Sequence, residues 1–88
     1  MSGKTTVEKT LKNRATTHGD FTDNAKISQY LKTIVKGGSQ WNNMTPVQKE
    51  ALEVILAKAA RIVTGDPNHK DTWHDIGGYA KLAEDRIK

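Results

Sequence analysis

Apolar residues recur at three- and four-residue spacing along most of this 88-residue chain, which is the period of amphipathic helices. No stretch shows the alternation of apolar and polar residues that a half-buried strand requires. Glycine, proline and short polar runs divide the pattern into four segments. We therefore predict an all-α fold, a small four-helix bundle in which residues 1–88 form one domain.

The first two predicted helices carry apolar stripes of different width. The first, over residues 5–18, has a narrow stripe at four-residue spacing: Val7, Leu11 and Ala15. Such a stripe suits late docking or contact with a partner subunit. Gly19 then fits a left-handed cap. The second helix is predicted over residues 22–36, and its buried stripe comprises Ile27, Leu31, Ile34 and Val35, with Tyr30 beside them.

The third predicted helix has the clearest start signal. Thr45 is a suitable N-cap, Pro46 fits the first helical position, and Gln48 stands where a capping box places its reciprocal partner. From there to Val63 the chain is rich in Ala, Leu, Ile and Val, so we expect this helix to be central and buried over most of its circumference. Residues 64–67 end it.

The fourth predicted helix starts near Lys70 or Asp71 and continues towards the end of the chain. Its predicted buried face comprises Trp73, Ile76, Ala80, Ala83 and Ile87. Gly77 and Gly78 lie inside this helix, and each costs about 1 kcal/mol relative to alanine. We expect the close approach of another helix or of a ligand to compensate for this cost.

Composition limits the ways in which so short a chain can be stabilised. A chain of this size buries only about 60–65% of its unfolded surface. It contains no cysteine, so disulfides and cysteine-ligated metals are excluded, and we expect self-association into a homo-oligomer. No apolar run approaches the length of a membrane span, and the chain does not start with a secretory signal. We therefore predict a cytoplasmic protein with no membrane contact.

The net charge of +4 is concentrated in the first half of the chain. Residues 1–44 carry seven Lys or Arg against three Asp or Glu, whereas residues 45–88 carry seven of each. A basic surface attracts polyanions, but few aromatic residues lie among these lysines, so nucleic-acid binding is disfavoured. The favoured interpretation is a solvated lysine face that aids solubility.

A cluster of charged and aromatic residues is predicted where the third and fourth helices meet. Lys58 and Arg61 lie three residues apart on the third helix, and no carboxylate of that helix lies at pairing distance from them. Asp71, Asp75 and Tyr79 follow one another at four-residue spacing on the fourth. A short turn makes the two helices antiparallel neighbours, so cations can face carboxylates. The cluster is either a salt-bridge network or a binding site for a nucleotide or other phosphorylated small molecule.

Glu50 and Glu53 add two carboxylates to the third helix. With Asp71 and Asp75 they supply the oxygen ligands that Mg²⁺ uses in phosphate chemistry, so a magnesium site of Glu50, Glu53 and Asp75 is one hypothesis. Acidic residues also favour the first turns of a helix through its dipole, and for both glutamates this alternative is the stronger. A zinc site is disfavoured because the adjacent His74 and Asp75 diverge on a helix.

Four motifs carry a resemblance to a known family: Gly19-Asp20-Phe21, Lys58-x-x-Arg61, Gly65-Asp66-Pro67 and Asp71-x-Trp73-x-Asp75-Ile76-x-Gly78-Tyr79. From Arg14 to about Leu82 the chain resembles a family of small all-helical domains that phages and prophages encode and that has no assigned function. More distantly, it resembles the MazG-like all-α nucleoside triphosphate pyrophosphohydrolases. Those enzymes form dimers or tetramers and bind Mg²⁺ through an E-x-x-E and an E-x-x-D motif.

The MazG-like resemblance implies that Glu50 and Glu53 match the first motif and that Asp75 matches the end of the second. Thr72 stands where the second motif requires glutamate, which favours binding over turnover. The first hypothesis is a phage-type protein that binds, and so sequesters, a phosphorylated ligand at Lys58, Arg61, Asp71, Asp75 and Tyr79, joined by Arg14, His18 and Asp20. The alternatives are a Mg²⁺-dependent pyrophosphohydrolase and a phage protein that modulates a host protein in the host cytoplasm.

Overall fold

A computed structural model of the chain describes residues 19–88. These residues form three α-helices with a short 3₁₀ turn after the first: α1 (Phe21–Lys36), the turn (Trp41–Asn43), α2 (Pro46–Thr64) and α3 (Lys70–Glu84). No β-strand occurs between residues 19 and 88, so the all-α class is confirmed for that range. The first predicted helix, with Arg14 and His18, lies outside the described residues. None of the three helices over residues 19–88 has the length and apolar character needed to cross a bilayer.

Helix α2 begins with the predicted capping box. The Gln48 N–H donates to Thr45 Oγ1 (3.2 Å), and the Thr45 N–H donates to Gln48 Oε1 (3.0 Å). The helix packs against both α1 and α3, so its central place is confirmed. The expected burial is confirmed only in part: every residue from 51 to 62 is buried or half-buried, but Val47 and Val63 near the two ends of the helix are exposed.

The start of α1 lies directly against the end of α2. Asp20 is the N-cap of α1, and its carboxylate accepts the Asp23 N–H at 3.2 Å. Gly19 has φ +83°, the left-handed conformation predicted for it. A Cβ at Gly19 would lie only 2.1 Å from the carbonyl oxygen of Thr64. Glycine is therefore required here for two reasons, its dihedral angle and the close backbone contact.

The buried stripe predicted for α1 is partly wrong. Leu31 and Val35 are half-buried against α2, but Ile34 and Tyr30 are exposed. Ser28, the buried residue of this helix, marks the side that contacts α2. At about 100° per residue, Tyr30 and Ile34 lie about 160° and 120° around the helix from Ser28, so both face away from the contact.

The observed buried face of α3 is rotated about the helix axis relative to the predicted one. Thr72 is the buried residue of this helix, and Trp73, one residue further on, is 55% exposed. The indole Nε1–H of Trp73 donates to the carbonyl oxygen of Pro67 at 2.8 Å, so the ring is held against the α2–α3 turn instead of the core. At Gly77 and Gly78, no neighbouring atom lies within 4 Å of the position that a Cβ would occupy. Within residues 19–88 no other helix approaches these glycines, and approach of a ligand stays a prediction.

Candidate functional site

The predicted charge cluster forms around one ion pair between α2 and α3. Lys58 Nζ lies 3.2 Å from Asp75 Oδ2. The two side chains differ in exposure, because Lys58 is 14% exposed and Asp75 is 49% exposed. The antiparallel packing of α2 and α3 places them opposite each other, as the sequence predicted. The pair therefore consists of a largely buried ammonium whose partner carboxylate remains in contact with water.

Arg61 and Asp71 lie on the same side of this pair, towards the turn that joins the two helices. Arg61 is one turn beyond Lys58 on α2, and Asp71 is one turn before Asp75 on α3. Arg61 is partly buried, yet among residues 19–88 its guanidinium has no hydrogen bond or ion pair. Asp71 is exposed and likewise lacks a side-chain partner in that range. A guanidinium whose five donors have no partner within residues 19–88, next to a largely buried ammonium, is suited to binding an anion.

One open depression adjoins the ion pair, and a second lies further along α2 and α3. One, which we call the α3 hollow, has a volume of about 340 Å³ and is lined by His74, Asp75, Gly78, Tyr79 and Leu82. The other, the α2–α3 groove, has a volume of about 250 Å³ and is lined by Val47, Glu50, Ala51, Tyr79, Leu82 and Arg86. Tyr79 and Leu82 line both depressions. The Tyr79 ring thus presents an apolar surface next to the carboxylate of Asp75.

The two glutamates of the magnesium hypothesis point to different neighbours. Glu53 pairs with Lys36 of α1, with Nζ and Oε1 3.3 Å apart. Glu50, about 60° around the helix from Glu53, lines the α2–α3 groove instead. Across residues 19–88 there is no group of three or more His, Asp or Glu side chains that could hold a metal ion. The structure therefore does not bring Glu50, Glu53 and Asp75 together, and a magnesium site stays a prediction.

Asp20 lies at the same end of the molecule as Arg61. Because Gly19 contacts Thr64, the N-cap of α1 is placed beside the last turn of α2. The Asp20 carboxylate already accepts the Asp23 N–H, so its first role is to cap α1. Arg14 and His18, predicted to join the site here, lie outside the described residues.

Sequence reasoning missed the α2–α3 groove and the Lys36–Glu53 pair. Val47 at the start of α2 and Leu82 near the end of α3 are far apart in sequence, but antiparallel packing brings them to the same groove. The same argument applies to Lys36 in the last turn of α1 and Glu53 in α2. Comparing opposite ends of neighbouring helices would have identified both features.

The family comparison covers almost the whole chain. A family model described as domain of unknown function (DUF6378) matches residues 4–87. No curated protein and no solved structure shows a significant match to this sequence.

Proposed function

We propose that this chain, which belongs to the DUF6378 family of domains of unknown function, binds a nucleotide or a related phosphorylated small molecule between α2 and α3. The observation that carries the proposal is the state of Arg61. It is partly buried beside the Lys58–Asp75 pair, and its guanidinium has no partner within residues 19–88. Burying polar groups without partners costs free energy, and a bound phosphate would satisfy them.

Each part of the site has a distinct role in this proposal. Arg61 donates two parallel hydrogen bonds to a phosphate, which its planar fork matches. Lys58 adds a second positive charge one turn away, and Asp75 fixes its position. Tyr79, at the edge of the α3 hollow, offers a face on which a base can stack. Asp71 is exposed nearby, where it can orient Arg61 or a hydrated cation.

Calorimetric titration with nucleoside mono-, di- and triphosphates, with inorganic phosphate as the minimal probe, tests the proposal. We expect Arg61→Gln to weaken binding about tenfold or more, since a charge-assisted bidentate pair contributes about 1.5–3 kcal/mol. Arg86→Gln is the matched control, because Arg86 lines the separate α2–α3 groove about three turns beyond Asp75, and its guanidinium donates to Leu82 O. Absence of binding by the wild type, or equal effects of the two substitutions, would refute the proposal.

A pyrophosphohydrolase is the second candidate, and it has less support. Its first metal motif requires Glu50 and Glu53, and Glu53 is paired with Lys36 on the side of α2 that faces α1. An assay for pyrophosphate release from nucleoside triphosphates with Mg²⁺ distinguishes it from simple binding. Turnover that disappears in Asp75→Asn would replace the binding proposal with a catalytic one.

The finer sequence predictions also belong to this proposal. Residues 5–18 would supply the fourth helix of a bundle through Val7, Leu11 and Ala15. The protein would be a homo-oligomer of phage type that sequesters its ligand in the host cytoplasm. A host-protein partner that binds the basic first half is the alternative. Pull-down from host lysate that depends on Lys26, Lys32 and Lys36 would favour that alternative.

A further inference from the structure

One face of α3 has a repeating pattern that no described part of the chain covers. Its members follow one another at spacings of three, four, three and four residues: Lys70, Trp73, Gly77, Ala80 and Glu84. At about 100° per residue they fall within an arc of about 80°. All five are exposed. Spacing of this kind is the heptad pattern with which two helices pair along a seam.

This face of α3 carries opposite charges at its two ends and uncharged residues between them. Lys70 lies at the beginning and Glu84 at the end, and between them are the indole of Trp73, the bare backbone at Gly77 and the methyl group of Ala80. Neither Lys70 nor Glu84 has an ion pair among residues 19–88. They cannot pair with each other in one chain, because fourteen residues of helix separate them by about 21 Å.

We propose that this face binds the same face of a second copy in antiparallel orientation. Lys70 lies seven residues before Gly77 and Glu84 lies seven residues after it. A two-fold axis near Gly77 therefore places Lys70 of each copy opposite Glu84 of the other, which gives two equivalent ion pairs. Parallel pairing would instead oppose Lys70 to Lys70 and Glu84 to Glu84, so charge complementarity selects the antiparallel arrangement.

Gly77 suits the centre of such an interface. No atom lies within 4 Å of the position that a Cβ would occupy there, so the described chain gives no reason for a glycine in the helix. At a crossing point, a glycine lets the backbone of a second helix approach closely, and Trp73 of each copy can then cover the helix of the other. A single face of a 15-residue helix buries little area, so we expect a weak, concentration-dependent dimer.

This interface is separate from the ligand site. Asp75 lies about 160° around α3 from Trp73, so dimerisation through the heptad face leaves the Lys58–Asp75 pair accessible. The dimer would carry two such sites, one on each copy. The inference therefore goes beyond the proposed function, and either can fail without the other.

Charge exchange across the interface tests the inference. Sedimentation equilibrium of the full chain should show a monomer–dimer equilibrium between micromolar and millimolar concentrations. We expect Lys70→Glu or Glu84→Lys alone to raise the dimer dissociation constant about tenfold, because each turns two attractive pairs into repulsive ones. The double variant, with both Lys70→Glu and Glu84→Lys, should restore the dissociation constant of the wild-type dimer. Lys26→Glu, an exposed change on α1, is the control and should have no effect.

Cysteine cross-linking tests the orientation independently, since the chain contains no cysteine of its own. A mixture of Lys70→Cys and Glu84→Cys chains should form a mixed disulfide on mild oxidation, whereas each variant alone should form far less. Disulfides within each variant alone would indicate parallel pairing and overturn the proposal. A chain that stays monomeric up to millimolar concentration would also overturn it.

Discussion

Helix α2 contacts both α1 and α3, and the two contacts contain the same kind of ion pair in different surroundings. Each contains one lysine–carboxylate pair, Lys36–Glu53 at 3.3 Å and Lys58–Asp75 at 3.2 Å. In the first pair the lysine is 48% exposed, whereas in the second it is 14% exposed. The distances are nearly equal, so the pairs differ in which partner is the more buried: Lys58 in one pair, and Glu53, 27% exposed against 49% for Asp75, in the other. An ammonium held away from water depends more strongly on its partner than one in contact with water.

The two contacts also differ in how closely the backbones approach. At the α1–α2 contact, Gly19 lies against the Thr64 carbonyl, and no side chain fits between them. On α3, Gly78 has open space around it and borders the α3 hollow. The α1–α2 contact is thus closed by the backbone itself, whereas α3 carries an open hollow beside Asp75, the exposed partner of the largely buried Lys58. That difference is why we place the ligand site between α2 and α3.

The largest expected effect on stability is at the α1–α2 contact, where Gly19 meets Thr64. Gly19→Ala should lower the free energy of unfolding by about 3 kcal/mol, because the new Cβ would meet Thr64 O and the backbone would remain in a left-handed conformation. Urea unfolding followed by circular dichroism measures this loss. The matched Gly78→Ala should instead raise the free energy of unfolding by about 1 kcal/mol, since nothing blocks its Cβ. Similar effects of both substitutions would show that the contrast is wrong.

An intermediate effect is expected from removing each carboxylate charge. Asp75→Asn should cost about 1–2 kcal/mol of folding free energy, because it leaves the largely buried Lys58 ammonium without its counter-charge. Glu53→Gln should cost less than about 1 kcal/mol, because water solvates the exposed Lys36. Chemical unfolding of both variants at low and high salt measures the difference. Equal losses would mean that cation burial does not distinguish the pairs.

The smallest effect concerns the two tryptophans that contact the connections between helices: Trp41 lies in one, and Trp73 of α3 donates to the other. Trp73→Phe removes the hydrogen bond to Pro67 O at the α2–α3 turn and should cost about 0.5–1 kcal/mol. In the α1–α2 connection, Trp41 has Lys49 Nζ 5.6 Å above its ring centroid. Phenylalanine retains part of that attraction, so Trp41→Phe should cost only a few tenths of a kcal/mol. A larger loss for Trp41→Phe in thermal unfolding would reverse this order.

Much of the helical framework could be predicted because it depends on local chemistry. Thr45, Pro46 and Gln48 determine where α2 starts without reference to the rest of the chain, and the observed capping box matches the prediction. A short turn and antiparallel packing predicted that Lys58 and Asp75 lie opposite each other, and the observed ion pair confirms this. The capping box depends only on residues that are neighbours in sequence, and the ion pair depends on a single turn between two helices.

The errors concern which side of each helix meets its neighbour. Helical spacing grouped Trp73 and Ala80 with Ile76, but it did not show that the half-buried Ile76 lies with Thr72 while the other two are exposed. The hydrogen bond from Trp73 to Pro67 depends on the exact path of the turn, which spacing does not encode. The same limit applies to Tyr30 and Ile34 on α1. Rotation about a helix axis is set by tertiary packing, and the apolar pattern alone does not determine it.

Phosphate binding by Arg61, the centre of the proposed function, is tested most directly by following the Arg61 side chain itself. The chain has three arginines, Arg14, Arg61 and Arg86, so the Nε–Hε signals in a ¹⁵N NMR spectrum can be assigned with single glutamine variants. On titration with nucleoside triphosphate, we predict that the Arg61 signal shifts strongly and saturates at the calorimetric affinity, while the Arg86 signal stays in place. An Arg61 signal that does not move as the nucleotide is added would contradict phosphate binding at this residue.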